Sequence, residues 1–170
     1  MKTDRPMAFV GAFLLSRWTL ILFNVLISYV CVLAAIDVVM MIVNNGHFAV
    51  QVEVMDGMGV IMIGYGVALE ERHALRDLAG PLSRINRNWE AAIDKHCHSQ
   101  GLLLLVFGLF VEMCIACIEI PNHVVDTGGI EKPVLALSIF FLMICVTVMI
   151  VYSVRMLRQN KRRASPDLPP

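Results

Sequence analysis

Four long apolar stretches, separated by three blocks of basic residues, constrain this chain more than any motif does. Thirteen of its fourteen Lys and Arg residues fall within 2–17, 72–95 and 155–163, and Lys132 is the exception. A stretch of about 20 apolar residues is long enough to cross a bilayer as a helix. Because cytoplasmic loops accumulate Lys and Arg, this spacing predicts four membrane-spanning helices with both termini in the cytoplasm.

The four predicted spans are residues 18–43, 54–69, 101–120 and 133–154. They form one all-α domain, a four-transmembrane-helix bundle over residues 1–163, followed by a disordered cytoplasmic tail at 164–170. Hydrophobic residues make up 58% of the chain, above the roughly 45–50% of soluble domains. The first stretch is longer than the core of about 7–15 residues in a signal peptide, so we expect it to be retained. The expected location is a plasma membrane, specifically a bacterial inner membrane.

The polar segment between the second and third spans is predicted to contain a cytoplasmic amphipathic helix. Ser83 suits the N-cap position at its start. Ile85, Trp89 and Ile93 recur at a four-residue spacing that places them on one helix face. Such a helix either lies at the headgroup boundary or packs across the inner end of the bundle.

Acidic residues are concentrated in the spans and in the loops predicted to face outside. Asp37 and Glu112 lie within spans, where an ionised carboxylate costs several kcal/mol unless it is protonated, hydrated or paired. Glu112 and Glu119 are seven residues apart and therefore share one helix face. Together with Asp56, these residues form a candidate proton or divalent-cation site, although the sequence specifies no metal. In the alternative interpretation, Asp56 and Glu119 lie at the interface with their carboxylates in water.

The second predicted span carries four glycines. Gly57 and Gly64 share one face of the helix, and Gly59 and Gly66 share another. Small residues allow neighbouring helices in a membrane to approach closely. The pattern predicts that this helix lies at the centre of the bundle or in an oligomer contact.

Cys114 and Cys117 form a Cys-x-x-Cys pair within the third predicted span. In this respect the chain resembles the quinone-linked disulfide-forming enzymes, which are small four-span proteins with a membrane-embedded Cys pair. The resemblance implies a membrane thiol oxidoreductase, which passes electrons through a second Cys pair or a loop thiol. Residues 44–53 and 121–132 contain no Cys, so we favour thiols that pack as small apolar groups.

The chain is similar to the small membrane subunit of tripartite ATP-independent periplasmic transporters. The similarity is in the predicted topology, the length and the segment Glu70-Glu71-Arg72-His73. The resemblance implies a small subunit of a secondary transporter. Val52-Glu53-Val54 stands where that family is expected to have a Trp and paired acids before the second span.

The remaining motifs exclude several classes of protein. No Gly-rich phosphate loop, nucleophile elbow or metalloprotease helix is present, and nothing in the sequence indicates a cofactor or nucleic acid. The leading hypothesis is a non-enzymatic accessory or scaffold subunit of a membrane complex, either homo-oligomeric or bound to a larger membrane protein. A protein that binds or translocates protons or divalent cations is the rival hypothesis.

A cluster of basic residues follows the fourth predicted span. Its members are Arg155, Arg158, Lys161, Arg162 and Arg163. Basic clusters next to a span are attracted to anionic headgroups, so we expect anionic lipid at this end of the bundle.

Overall fold

The computed structural model describes residues 17–44, 49–72, 74, 87–122 and 130–163. This part of the chain forms four helices: α1 Arg17–Asn44, α2 Ala49–Glu70, α3 Arg87–Asn122 and α4 Glu131–Arg163. Each helix contains a segment long and apolar enough to cross a membrane: Trp18–Asn44, Ala49–Glu70, Ile93–Glu119 and Glu131–Arg158. The prediction of an all-helical, multi-pass membrane protein is therefore confirmed. The predicted tail at 164–170 lies outside the described residues.

All four helices extend beyond the predicted spans, and α3 extends furthest, since it begins at Arg87 rather than at residue 101. α2 begins at Ala49 rather than at residue 54, and its first turns bury Gln51 and Val52 against the other helices. α4 continues past the apolar run to Arg163. Helical hydrogen bonding does not require apolar side chains, so hydropathy alone underestimates the length of both helices.

The predicted amphipathic helix is not a separate element in the described chain. From Arg87 onward the backbone is one continuous helix, and Trp89 and Ile93 belong to the first turns of α3. Residues 87–100 contain neither Gly nor Pro, so nothing in the sequence ends a helix before the third span begins. Ile93 is buried in the bundle. The remainder of the predicted helix, residues 75–86, lies outside the described residues.

α3 is the central helix of the bundle, with α2 packed along one side and α4 along the other. α1 packs chiefly against α4 and makes a smaller contact with α2. Phe110 of α3 stacks on Phe141 of α4, with 5.0 Å between ring centroids. Aromatic stacking at this distance is favourable and contributes to the α3–α4 contact.

The α2–α3 contact depends on glycines from both helices. A Cβ atom on Gly101 would lie 2.5 Å from the carbonyl oxygen of Gly66, and one on Gly66 would lie 2.8 Å from the backbone nitrogen of Leu105. A Cβ on Gly108 would likewise lie 2.9 Å from the side chain of Met62. The two backbones therefore approach as closely as small residues permit in membrane helix pairs.

The interior of the bundle is an apolar column, and much of its exterior is apolar too. Fully buried members of the column are Met55, Met62, Leu104, Val111, Leu135, Leu142 and Met149. Exposed side chains include Leu22, Leu26, Phe140 and Ile150. Lipid tails solvate such a surface well, which fits a bundle immersed in a bilayer.

Candidate functional site

One polar side chain from each helix enters a hydrogen-bonded cluster, which we call the Asn24 hub. Its members are Asn24 of α1, Tyr65 of α2, Gln100 of α3 and Ser153 of α4. Asn24 Oδ1 accepts hydrogen bonds from Tyr65 Oη at 2.7 Å and from Gln100 Nε2 at 2.9 Å. Asn24 Nδ2 donates to Ser153 Oγ at 3.0 Å, so this one amide joins α1 to all three other helices.

The hub lies in the interior, with Asn24 1% and Gln100 0% exposed. Hydrogen bonds between membrane helices contribute about 0.6 kcal/mol each on average and up to about 1.7 kcal/mol. Since the four polar groups must meet at one depth, the hub also aligns the helices with one another. Sequence reasoning missed this cluster, although Asn24 and Ser153, as polar residues within apolar runs, are the signal that pointed to it.

Asp56 and Glu112 bring two carboxyl groups together at the α2–α3 contact. We call them the carboxyl pair. The pair lies nearer than the Asn24 hub to the end of the bundle where α2 begins. The side chain of Glu112 also lies against Gly59, where its Cδ would be 3.0 Å from a Cβ atom. Glu112 Oε1 is buried, and no other group in the described chain hydrogen-bonds it. The glycine thus makes room for a carboxyl group inside the helix contact.

The other two predicted members of the acidic site do not join the carboxyl pair in the same way. Asp37 is exposed on α1, which packs mainly against α4, and it is not a neighbour of Glu112. Glu119 is exposed two turns farther along α3. Within the described residues, no group of three or more His, Cys, Asp or Glu side chains is arranged to hold a metal ion. Two carboxyl groups nevertheless suffice to share a proton, or to supply part of the ligand set of a cation.

The four glycines of α2 divide into two faces with different surroundings. Gly59 and Gly66 pack against α3, as described above. Gly57 and Gly64 are exposed, and apart from the adjacent backbone of α2 itself, no atom of the described chain lies within 4 Å of the position that a Cβ would take on either. The bundle therefore uses only one of the two predicted glycine faces for its own packing.

The Cys-x-x-Cys residues of α3 occupy different environments. Cys114 is 8% exposed and packs into the bundle, whereas Cys117 is exposed. Both are free thiols, as are Cys31, Cys97 and Cys145. Cys114 thus packs as a small apolar side chain does.

Charged side chains gather where α2 ends, α3 begins and α4 ends, and we call this region the basic end. Arg72 forms an ion pair with Asp94, and both side chains are largely buried. His98 Nδ1 lies 3.9 Å from Glu70 Oε1 on the same side of α3. These contacts join the end of α2 to the beginning of α3.

No protein-family model matches the chain, and neither a characterised protein nor a solved structure is detectably similar to it. We therefore infer its function from its own residues and their geometry.

Proposed function

We propose that this protein is a non-enzymatic accessory or scaffold subunit of a membrane complex. It binds another copy of itself or a larger membrane protein through the open face of α2, which we define as Gly57, Val60, Ile61, Gly64 and Ala68. All five residues are exposed on one side of the helix. The observation that carries the proposal is the open space beyond Gly57 and Gly64.

Exposed glycines within a helix are costly unless something packs on them. Each lowers helix stability by about 1 kcal/mol relative to Ala. Gly57 and Gly64 make no close helix contact within the bundle, since no other helix of the described chain lies within 4 Å of the position that a Cβ would take on either. The opposite pair, Gly59 and Gly66, has the same seven-residue spacing and lies at the close contact with α3. We infer that a partner helix packs on the open face in a similar way.

The test is the mass of the complex after purification of the full chain from its native membrane in a mild detergent. Gly64→Leu is expected to lower that mass, because the larger side chain blocks close approach, while the unfolding temperature stays at the wild-type value. Ala136→Leu is the matched control, since it enlarges an exposed small residue on α4. Equal masses for wild type and both variants contradict the proposal. Identification of the co-purified partner also tests the narrower alternative of a transporter subunit.

We further propose that the basic end faces the cytoplasm and that both termini lie there, in a bacterial inner membrane. The support is the distribution of Lys and Arg along the chain. Reporters fused after Asn45 and Val125 are expected outside, and reporters fused after His73 and Arg163 inside. An inside signal at Val125 overturns this orientation.

A second candidate function is the binding of a proton or a divalent cation at the carboxyl pair. The adjacency of Asp56 and Glu112 favours it. Fully buried apolar side chains, including Met62 and Leu104, lie between this pair and the Asn24 hub, which supports binding more than conduction. Glu112→Gln keeps the shape of the side chain and is expected to abolish binding, whereas Asp37→Asn, on the exposed face of α1, is expected to leave it unchanged. Wild-type binding by Glu112→Gln contradicts this function.

A further inference from the structure

We propose that the groove between α3 and α4 at the basic end binds the headgroup of one anionic phospholipid, with its phosphate against Arg155. We call this the lipid groove and define it by Ser99, Leu102 and Val106 of α3 and by Val151 and Arg155 of α4. All five residues are exposed. The inference requires only that the chain lies in a membrane, and it is independent of the proposed partner on α2.

Arg155 is held in place before any ligand arrives. Its Cζ lies 5.6 Å from the centroid of the Tyr152 ring, within the range of a cation–π interaction. The ring is itself fixed, because Tyr152 Oη and Ser99 Oγ hydrogen-bond at 2.8 Å and His96 packs edge-on at 6.2 Å between centroids. A guanidinium group offers two parallel donors to a phosphate, and prior ordering reduces the entropy lost on binding.

The charges at this end favour an anion on the α4 side of α3. Asp94 pairs with Arg72, and Glu70 approaches His98, so these two acids lie on the side of α3 that faces α2. Arg155 lies on the other side, with its guanidinium over an aromatic ring. Basic pockets between membrane helices are recognised binding sites for anionic headgroups.

The apolar part of the groove favours a lipid over a free phosphate ion. Leu102, Val106 and Phe110 are exposed along α3 on the span side of Ser99, and Val151 is exposed on α4. At 1.5 Å per residue, Ser99 to Phe110 spans about 16 Å, which is roughly the thickness of one leaflet of hydrocarbon. An acyl chain attached to the bound headgroup can therefore follow this surface along its length.

The experiment measures lipid binding to the full chain in a neutral maltoside detergent by native mass spectrometry. Dioleoylphosphatidylglycerol, dioleoylphosphatidylcholine and inorganic phosphate are titrated separately. We expect one tightly retained phosphatidylglycerol, weaker phosphatidylcholine and no competition by millimolar phosphate. Arg155→Gln is expected to weaken phosphatidylglycerol binding at least about fivefold, because it removes the charge-assisted contact.

Two further variants separate a built site from a generally basic surface. Arg158→Gln removes the same charge from an exposed position one turn away and is expected to change binding less than about twofold. Arg155→Lys keeps the charge but loses the planar group, and is expected to fall between wild type and Arg155→Gln. If Arg155→Gln lowers the unfolding temperature without lipid, Arg155→Lys takes its place. Arg155→Lys must then weaken phosphatidylglycerol binding more than Arg158→Gln does, and equal or smaller weakening contradicts the proposal.

Three results overturn the proposal. Equal weakening by Arg155→Gln and Arg158→Gln indicates diffuse attraction to a basic surface. Equal binding of phosphatidylcholine removes the requirement for an anion, and displacement of the lipid by inorganic phosphate indicates a site for a free anion. None of these results bears on association through the open face of α2.

Discussion

The Asn24 hub and the carboxyl pair are both polar clusters inside an apolar bundle, but they do different things for the fold. The hub matches donors with acceptors and joins all four helices. The carboxyl pair joins only two helices: the side chains of Asp56 and Glu112 hydrogen-bond each other, while Glu112 Oε1 stays buried without a partner in the described chain. Matched groups stabilise a bundle in lipid, whereas a buried polar atom without a partner costs free energy. We therefore assign a structural role to the hub and keep the pair as the second candidate for function.

Removal of Asn24, the centre of the hub, is expected to have the largest effect on stability. Asn24→Leu keeps the branched shape and the number of heavy atoms but leaves Tyr65, Gln100 and Ser153 without their shared partner. Loss of three hydrogen bonds is expected to lower the free energy of unfolding by about 2–5 kcal/mol. Reversible unfolding in detergent measures it, with Thr147→Val, an exposed change on α4, as a control expected to have almost no effect. A change below about 0.5 kcal/mol for Asn24→Leu shows that the hub is dispensable.

The two glycine faces of α2 extend the comparison to packing. Gly66→Ala places a methyl group 2.8 Å from backbone atoms of Gly101 and Leu105, and is expected to destabilise the protein by about 1–3 kcal/mol. Gly64→Ala meets open space and is expected to be neutral or to stabilise the monomer by up to about 1 kcal/mol. Unfolding of both variants in the same detergent compares them directly. Equal destabilisation means that the two faces have the same environment.

The smallest expected change in stability is at the carboxyl pair. Glu112→Gln preserves the shape packed against Gly59 and removes one of two neighbouring acidic groups. The free energy of unfolding should stay within about 1 kcal/mol of the wild-type value, because an amide of the same shape replaces the acid. The measurement is denaturant unfolding alongside Asn24→Leu. A loss as large as that of Asn24→Leu makes the pair part of the structural framework and removes the reason for assigning it a function.

Hydropathy and charge distribution were sufficient to predict the four membrane helices, because long apolar runs between basic blocks have few other stable folds. The beginning of α2 was missed because Gln51 and Glu53 interrupt the apolar run there. Gln51 is buried despite its polarity, and only the packed bundle shows this.

The sequence predicts how deep each acidic residue lies in the membrane, but it does not predict which acids face one another. The depth of Glu112 follows from its position within a span, so an unusual environment was foreseeable. Its pairing with Asp56 depends on how α2 and α3 are rotated about their axes, which glycine contacts determine. α1 is apolar on nearly every side, so the sequence carries little information about its rotation. Depth within the first span places Asp37 near the other acids, but the structure puts it on an exposed surface of α1.

We propose that a partner protein covers the open face of α2 while lipid covers the exposed face of α1. Site-specific photo-crosslinking in the native membrane tests it most directly, with a photoreactive residue at Val60 of α2 or at Ile36 of α1. Both positions are exposed to a similar extent, at 57% and 55%. We expect a discrete protein adduct from position 60 and only lipid adducts from position 36. Only lipid adducts from position 60, or any protein adduct from position 36, contradict this arrangement.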